Sequence, residues 1–128
     1  MDPSVPWVAA TAWAAGIFEG EGSFNVQEGR PSVRVRNCDL EVLGRFQDAL
    51  GGKGRIYGPY SYESPDGFKR QPFYDWAAFG FQAYEAFRDM APFLSTRRLR
   101  RGRELFQIYG CPIAPLSWDE ACERSLKM

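Results

Sequence analysis

The periodicity of this chain changes at one place without a pause. Residues 12–26, AWAAGIFEGEGSFNV, begin as an apolar helical run and end in strict alternation, with Glu19-Gly20-Glu21-Gly22 between the two. A 3.6-residue period joined to a 2-residue period commits the chain to mixed α and β structure. The junction itself breaks helix rules. A carboxylate near a helix C-terminus faces partial negative charge, where Lys, Arg or His is the default. Gly20 adds about 1 kcal/mol relative to Ala inside a helix. Gly22 suits the left-handed residue that ends helices. Two acids in such a place are either an exposed, solvated turn or there for a functional reason.

The remaining pattern places the junction in a fold. Residues 6–18 read as a helix, apolar nearly all round and so buried on most sides. Residues 23–27 and 32–36 alternate as two strands, with Glu28-Gly29-Arg30-Pro31 as the hairpin turn. Asp39 can cap a helix over 40–50 with the stripe Leu40, Leu43, Phe46 and Leu50, stopped by Gly51-Gly52-Lys53-Gly54. Residues 55–57 and 73–79 read as two more strands, joined by a polar insert with a turn at Pro65-Asp66-Gly67. A helix near 82–90 buries Phe87, and one near 97–109 turns Leu99, Leu105 and Phe106 inward. Pro112 and Pro115 precede a short helical tail near 117–126. The expectation is one α+β domain over 1–128, core about 7–109 and tail 110–128, with an αββαββα order, a small antiparallel sheet and helices on one face.

The sheet's other face then carries Ser23, Asn25, Gln27, Arg30, Ser32, Arg34, Arg36, Arg55 and Tyr57. A solvated strand face is the plain explanation. Yet Arg, Asn and Gln are the side chains that bond base edges bidentately, and a two-stranded ribbon can enter the major groove. Net charge is zero, which argues against nucleic acid until its distribution is read. Arg30, Arg34 and Arg36 fall together, Arg97, Arg98, Arg100, Arg101 and Arg103 crowd a second stretch, and acids gather at Asp119, Glu120 and Glu123. The chain has no histidine, which excludes His-based triads and zinc–histidine sites. Cys38, Cys111 and Cys122 are odd in number and widely spaced, read as reduced thiols in a cytoplasmic, nucleoid or organelle-matrix protein. No apolar run reaches the ~20 residues a membrane span needs, and the N-terminus lacks the basic start of a signal peptide.

Ala14-Ala15-Gly16-Ile17-Phe18-Glu19-Gly20-Glu21-Gly22 resembles the signature of the LAGLIDADG homing endonucleases, and Ser23-Phe24 is also typical of them. The segment Asn37-Cys38-Asp39-Leu40-Glu41-Val42-Leu43, followed by Leu50-Gly51-Gly52-Lys53-Gly54, looks like the family's second strand, helix and glycine turn. Pro92-Phe93-Leu94 with Arg97-Arg98 is similar to its P-x-L-x-x-K-R segment, so the likeness spans about residues 8–109. The motif departs from the family in starting with Ala rather than Leu.

The resemblance implies a four-stranded, saddle-shaped sheet seated on double-stranded DNA. It implies motif helices packed in pairs at a two-fold axis, with Gly16 and Gly20 removing side chains at the crossing and Trp13 and Glu19 beside it. A single motif per chain then requires a homodimer. It places Glu21 as the acid that binds Mg²⁺ or Mn²⁺, Arg97 near the scissile phosphate, Asn37 in the water network, and Arg98 against DNA. Arg97 stands where the family often has Lys, and it cannot serve as a base because it keeps its proton. The implied activity is hydrolysis of phosphodiesters in a long pseudo-palindromic site, of the intron- or intein-associated type. The alternatives within the same fold are a DNA-binding regulator without cleavage and an RNA-splicing maturase.

Overall fold

Alternation, capping and glycine turns produce the elements in the expected order. The computed structural model describes residues 5–61, 65–67 and 71–108. Helix α1 spans Val5–Glu21, so it does not stop at Phe18 but carries both acids of the junction on its last turn. Gly22 opens strand β1 (Gly22–Gln27) at once. It is not in a left-handed conformation; a Cβ there would collide with the Phe18 ring, so glycine is required by close packing instead. Glu28 (φ 52°) and Gly29 (φ 76°) form the two-residue turn into strand β2 (Arg30–Asn37), with Gln27 opposite Arg30. Positive φ at both central positions matches the right-handed twist of the flanking strands. The hairpin is therefore tighter than a four-residue turn, and Arg30 and Pro31 belong to the strand.

Helix α2 (Leu40–Ala49) begins at Asp39, whose side chain accepts from the Glu41 N–H at 2.9 Å. It ends where Gly51 N–H donates to Asp48 O (3.0 Å) and Gly52 N–H to Gln47 O (2.9 Å), with Gly51 at φ 69°. That pair of bonds satisfies two of the orphan carbonyls of the last turn. Leu43, Phe46 and Leu50 are buried as expected, but Leu40 is 48% exposed and Ala49 takes its place in the core. Strand β3 (Arg55–Tyr60) is longer than the alternation suggests, and strand β4 is Phe73–Phe79. Helix α3 (Gly80–Met90), a short 3-10 turn (Ala91–Phe93) and helix α4 (Thr96–Ile108) complete the described chain. The expected tail helix lies outside the described residues.

The sheet is antiparallel throughout, in the order β1-β2-β4-β3. Its helix-facing side carries Phe24, Val33, Val35, Trp76 and Ala78, all buried. Rings connect the layers edge to face: Phe18 on Phe24 (5.1 Å), Phe24 on Phe87 (5.6 Å) and Phe46 on Trp76 (4.7 Å). Gly102 lets α4 close on Phe87, since a Cβ at that position would enter the ring. Each such aromatic contributes about 1.5–3 kcal/mol by leaving water. The architecture is α+β, with four helices against one face of an open four-stranded sheet. Among the described residues no helix is long and apolar enough to cross a membrane.

Candidate nucleic-acid interface and metal-binding acid

The face of the sheet away from the helices is set by register. Ser23 pairs with Arg34 and Asn25 with Ser32 on the β1 side; Ser32 pairs with Phe79, Arg34 with Ala77 and Arg36 with Asp75 on the β4 side. Arg55 stands opposite Ala77 and Tyr57 opposite Asp75 from β3. Among the described residues, Arg30, Arg34, Arg36 and Arg55 thus share the face of these strands with a single acid, Asp75. Asn25, Gln27, Arg30, Arg36, Arg55 and Tyr57 are exposed, and Ser23 and Arg34 half-buried. Ser32 departs from expectation: it is fully buried, and its hydroxyl donates to the Asn25 carbonyl at 3.3 Å. It shapes the strand pair and offers nothing to a partner.

Two of these arginines lie on rings that the sequence pattern left unassigned. The Arg30 guanidinium is 5.2 Å from the Phe79 centroid, and that of Arg36 is 4.2 Å from the Phe73 centroid. Arg36 also donates from Nε to Asp75 Oδ1 (2.9 Å) and from Nη2 to Oδ2 (3.3 Å), a bidentate pair that raises the Arg36 pKa further. Arg34 has no such anchor. Its Nε is buried without a partner among the described residues, and its Nη2 makes only a long 3.5 Å contact with Gln27. An unpaired cation of this kind is a place where an anion gains most. Phe73, Asp75 and Phe79 were readable in principle: an acid inside the apolar strand FYDWAAF, two residues from Phe73 and four from Phe79 and so on their face, is the signal.

At one end of this face α1 terminates. Glu21 is exposed, and its carboxylate has no partner among the described residues. Glu19, one half-turn back, is committed within its own chain. It accepts from the Ser95 N–H at 2.7 Å and the Ser95 hydroxyl at 2.9 Å. These bonds, the Ser95 N–H first, with help from Arg98 and Arg97, hold its carboxyl below the ordinary value against the opposing effect of burial. Arg98 completes the tie. Its Nη1 donates to Gly22 O (2.8 Å) and its Nη2 to Glu19 O (3.0 Å), so two carbonyls flanking Gly20 and Glu21 are gripped by α4. With its side chain only 16% exposed, Arg98 is a clamp on the end of α1 and not a surface contact for DNA. It also resolves the helix-rule violation: a cation does sit at the C-terminus of α1, supplied from another element.

Arg97, the neighbour of that clamp, is exposed and close enough to Glu19 to influence its charge. Asn37 lies just beyond the Gly22–Val35 pair, at the same end of the sheet as Glu21. Its Oδ1 accepts from the Asp39 N–H at 2.8 Å, and its amide N–H groups have no partner among the described residues. Gly16 and Gly20 are exposed, and a Cβ at either would meet nothing within 4 Å. They do not pack on the chain's own sheet. Trp13, by contrast, packs on the core and carries the Arg45 guanidinium 3.9 Å from its ring centroid. Among the described residues no cluster of three His, Cys, Asp or Glu could hold a metal ion. One chain therefore offers a single uncommitted carboxylate here.

Solved structures share this fold. The homing endonuclease I-CvuI, in complex with the I-CreI target in 2 mM Mg with its DNA not cleaved, superposes with a TM-score of 0.61 at 19% identity, over 81% of this chain and 68% of that one. The archaeal intron-encoded homing endonuclease I-Vdi141I, complexed with DNA, gives 0.58 at 19% identity, over 91% and 77%. The LAGLIDADG homing endonuclease I-GzeII, in complex with its DNA target, gives 0.59 at 14% identity, over 91% of this chain but only 41% of that one. The fold is that of the LAGLIDADG homing endonucleases. No protein-family model and no curated protein sequence matches the chain.

Proposed function

We propose that this chain is one subunit of a homodimeric, divalent-metal-dependent DNA endonuclease that hydrolyses phosphodiesters in a long, pseudo-palindromic duplex site. The observation that carries the reading is the bare glycine stripe of α1 leading to a free Glu21 carboxylate. Helical glycines with nothing to avoid in their own chain are explained by a second helix pressed against them. A two-fold copy supplies that helix and brings a second Glu21 beside the first. Two carboxylates, with water and phosphate oxygens, are a hard-oxygen donor set suited to Mg²⁺ or Mn²⁺. The donor chemistry fits the ion, with Glu21 of each subunit holding it. When bound, such an ion activates water and neutralises charge at a phosphodiester.

The chain's own residues do the rest. Arg97 stays protonated and offers positive charge where the phosphate gains negative charge. Asn37 presents amide donors that orient water. Arg98 and Ser95 fix the height of Glu21 by holding the backbone around it and the Glu19 side chain. The sheet face binds the duplex through phosphates and base edges. The DNA-bound relatives of the same fold support this reading, as does the retention of an acid at position 21.

Glu21→Gln tests it. The variant keeps size and hydrogen-bonding shape but loses the charge that holds the cation. Cleavage of a selected site in Mg²⁺ should fall by several orders of magnitude, on the scale of removing a major electrostatic contribution. Binding should persist or tighten, because two negative charges no longer face phosphate. Normal cleavage by Glu21→Gln would overturn the proposal. A wild-type protein that binds a defined duplex but does not cut it under any divalent metal is a DNA-binding regulator; one that binds only folded RNA is a maturase.

A further inference from the structure

Among the described residues, the Arg36–Asp75 pair is built differently from every other cation on the open face. Asp75 is nearly buried (side chain 10% exposed), whereas the Arg36 side chain is 59% exposed. A guanidinium carries five N–H donors in one plane. Asp75 takes the Nε–H and one Nη2–H. The Phe73 ring lies 4.2 Å from the guanidinium centre. The plane is therefore fixed in rotation by the carboxylate and in tilt by the ring. Of the three N–H groups that remain, one from Nη1 and one from Nη2 lie parallel along the outer edge of a side chain that is largely exposed.

Three features decide what that edge fits. Two parallel donors match two adjacent acceptors. In the major groove only guanine presents such a pair, O6 and N7; adenine puts a donor beside its acceptor, thymine offers one acceptor and a methyl group, and cytosine a donor. Second, the Arg36–Asp75 pair is close to neutral. A phosphate gains little from it and is repelled by Asp75, whereas the neutral acceptors of a base are not. Third, the pair is preorganised, so little side-chain entropy is lost on contact. Arg34 has none of these: no carboxylate holds it, and it keeps its full charge for an anion.

We infer that Arg36, fixed by Asp75 and Phe73, is a specificity-determining residue that reads one guanine in each half-site. The inference rests on the reading of the open face as a DNA-binding surface and goes beyond it in naming a base and its reader. Asp75 acts through Arg36 and is a positioning residue.

The test is a binding selection of the full chain on a randomised duplex library in Ca²⁺, repeated for Arg36→Ala, Arg36→Lys and Asp75→Asn. Wild type should select G at one position of each half-site. Arg36→Ala should lose the preference at that position alone and weaken binding to the selected site by about 5- to 150-fold, the range for one bidentate base contact. Arg36→Lys keeps the charge but loses the planar fork held by Asp75, and should weaken the preference. The salt dependence of binding should be unchanged in Arg36→Ala, because no phosphate contact has gone. Asp75→Asn should relax the same position while tightening binding to unrelated duplex. Arg36 is exposed, so its truncation leaves the core intact even if Asp75→Asn folds poorly. A selected G that survives Arg36→Ala, or a salt slope lowered by about 0.9 per contact as for a phosphate ligand, overturns the inference alone. A wild type that selects no duplex sequence overturns the DNA reading and the inference together.

Discussion

Glu19 and Glu21 stand two positions apart on one helix and meet opposite surroundings. Glu21 projects into solvent without a partner among the described residues. Glu19 takes two hydrogen bonds from Ser95 and lies 3.8 Å from Arg98 Nε. The motif makes the two acids look alike; only the return of α4 onto the end of α1 separates them. The consequence is measurable through pH. Because the Glu19 carboxyl lies below its ordinary value in the folded protein, it favours folding above the unfolded carboxylate range, near pH 4.3. That contribution disappears as pH falls through the lower, folded value. Glu19→Gln should be less stable than wild type in denaturant at pH 7, and the gap should close as the pH is taken down to 3. A gap that stays constant over that range would mean that the charge of Glu19 does not contribute.

At the scale of the element, α1 is a helix with two different faces. Ala14, Ala15 and Phe18 pack inward without exposure, while Gly16 and Gly20 open outward onto space. Each glycine costs the helix about 1 kcal/mol relative to Ala and gains nothing sterically within the chain. Gly22 is the opposite case, required by the Phe18 ring. The sequence motif treats all three as one signature; the structure assigns them to separate reasons. Replacing Gly20 with Leu should therefore leave the circular dichroism of the fold unchanged and shift sedimentation from dimer towards monomer at micromolar concentration. Unchanged association would detach the glycine stripe from the interface proposed for it.

Over the whole molecule, what the sequence made legible was what alternation and capping control. The order of elements, the hairpin, the Asp39 cap and the polar face of β1 and β2 follow from local pattern. What it hid depends on long-range register. Ser32 alternates correctly, yet lies in register between Asn25 and Phe79 and is fully buried. Arg98 looks like one member of a basic run, yet reaches back to Gly22 and Glu19. Asp75 alternates onto the open face, but its partner is 39 residues earlier in the chain. The neutral total charge conceals the same kind of fact. The open face holds four arginines, Arg30, Arg34, Arg36 and Arg55, against Asp75, while the balancing acids lie elsewhere. A molecule with no net charge exerts no attraction at long range, so its pull on DNA has to be local, through contacts shorter than the ~10 Å screening length at 0.1 M salt. Affinity for duplex should then fall steeply as salt rises, by a log–log slope near 0.9 for each phosphate neutralised. Arg34→Glu combined with Arg55→Glu would reverse the sign of the face, leaving Arg30 and Arg36 against Asp75 and two new carboxylates. Gel-shift titration of that double variant between 50 and 200 mM salt should detect no specific complex at any concentration where wild type binds fully. Retained binding with an unchanged salt slope would place the DNA on another surface, the exposed arginines of α4 being the next candidate.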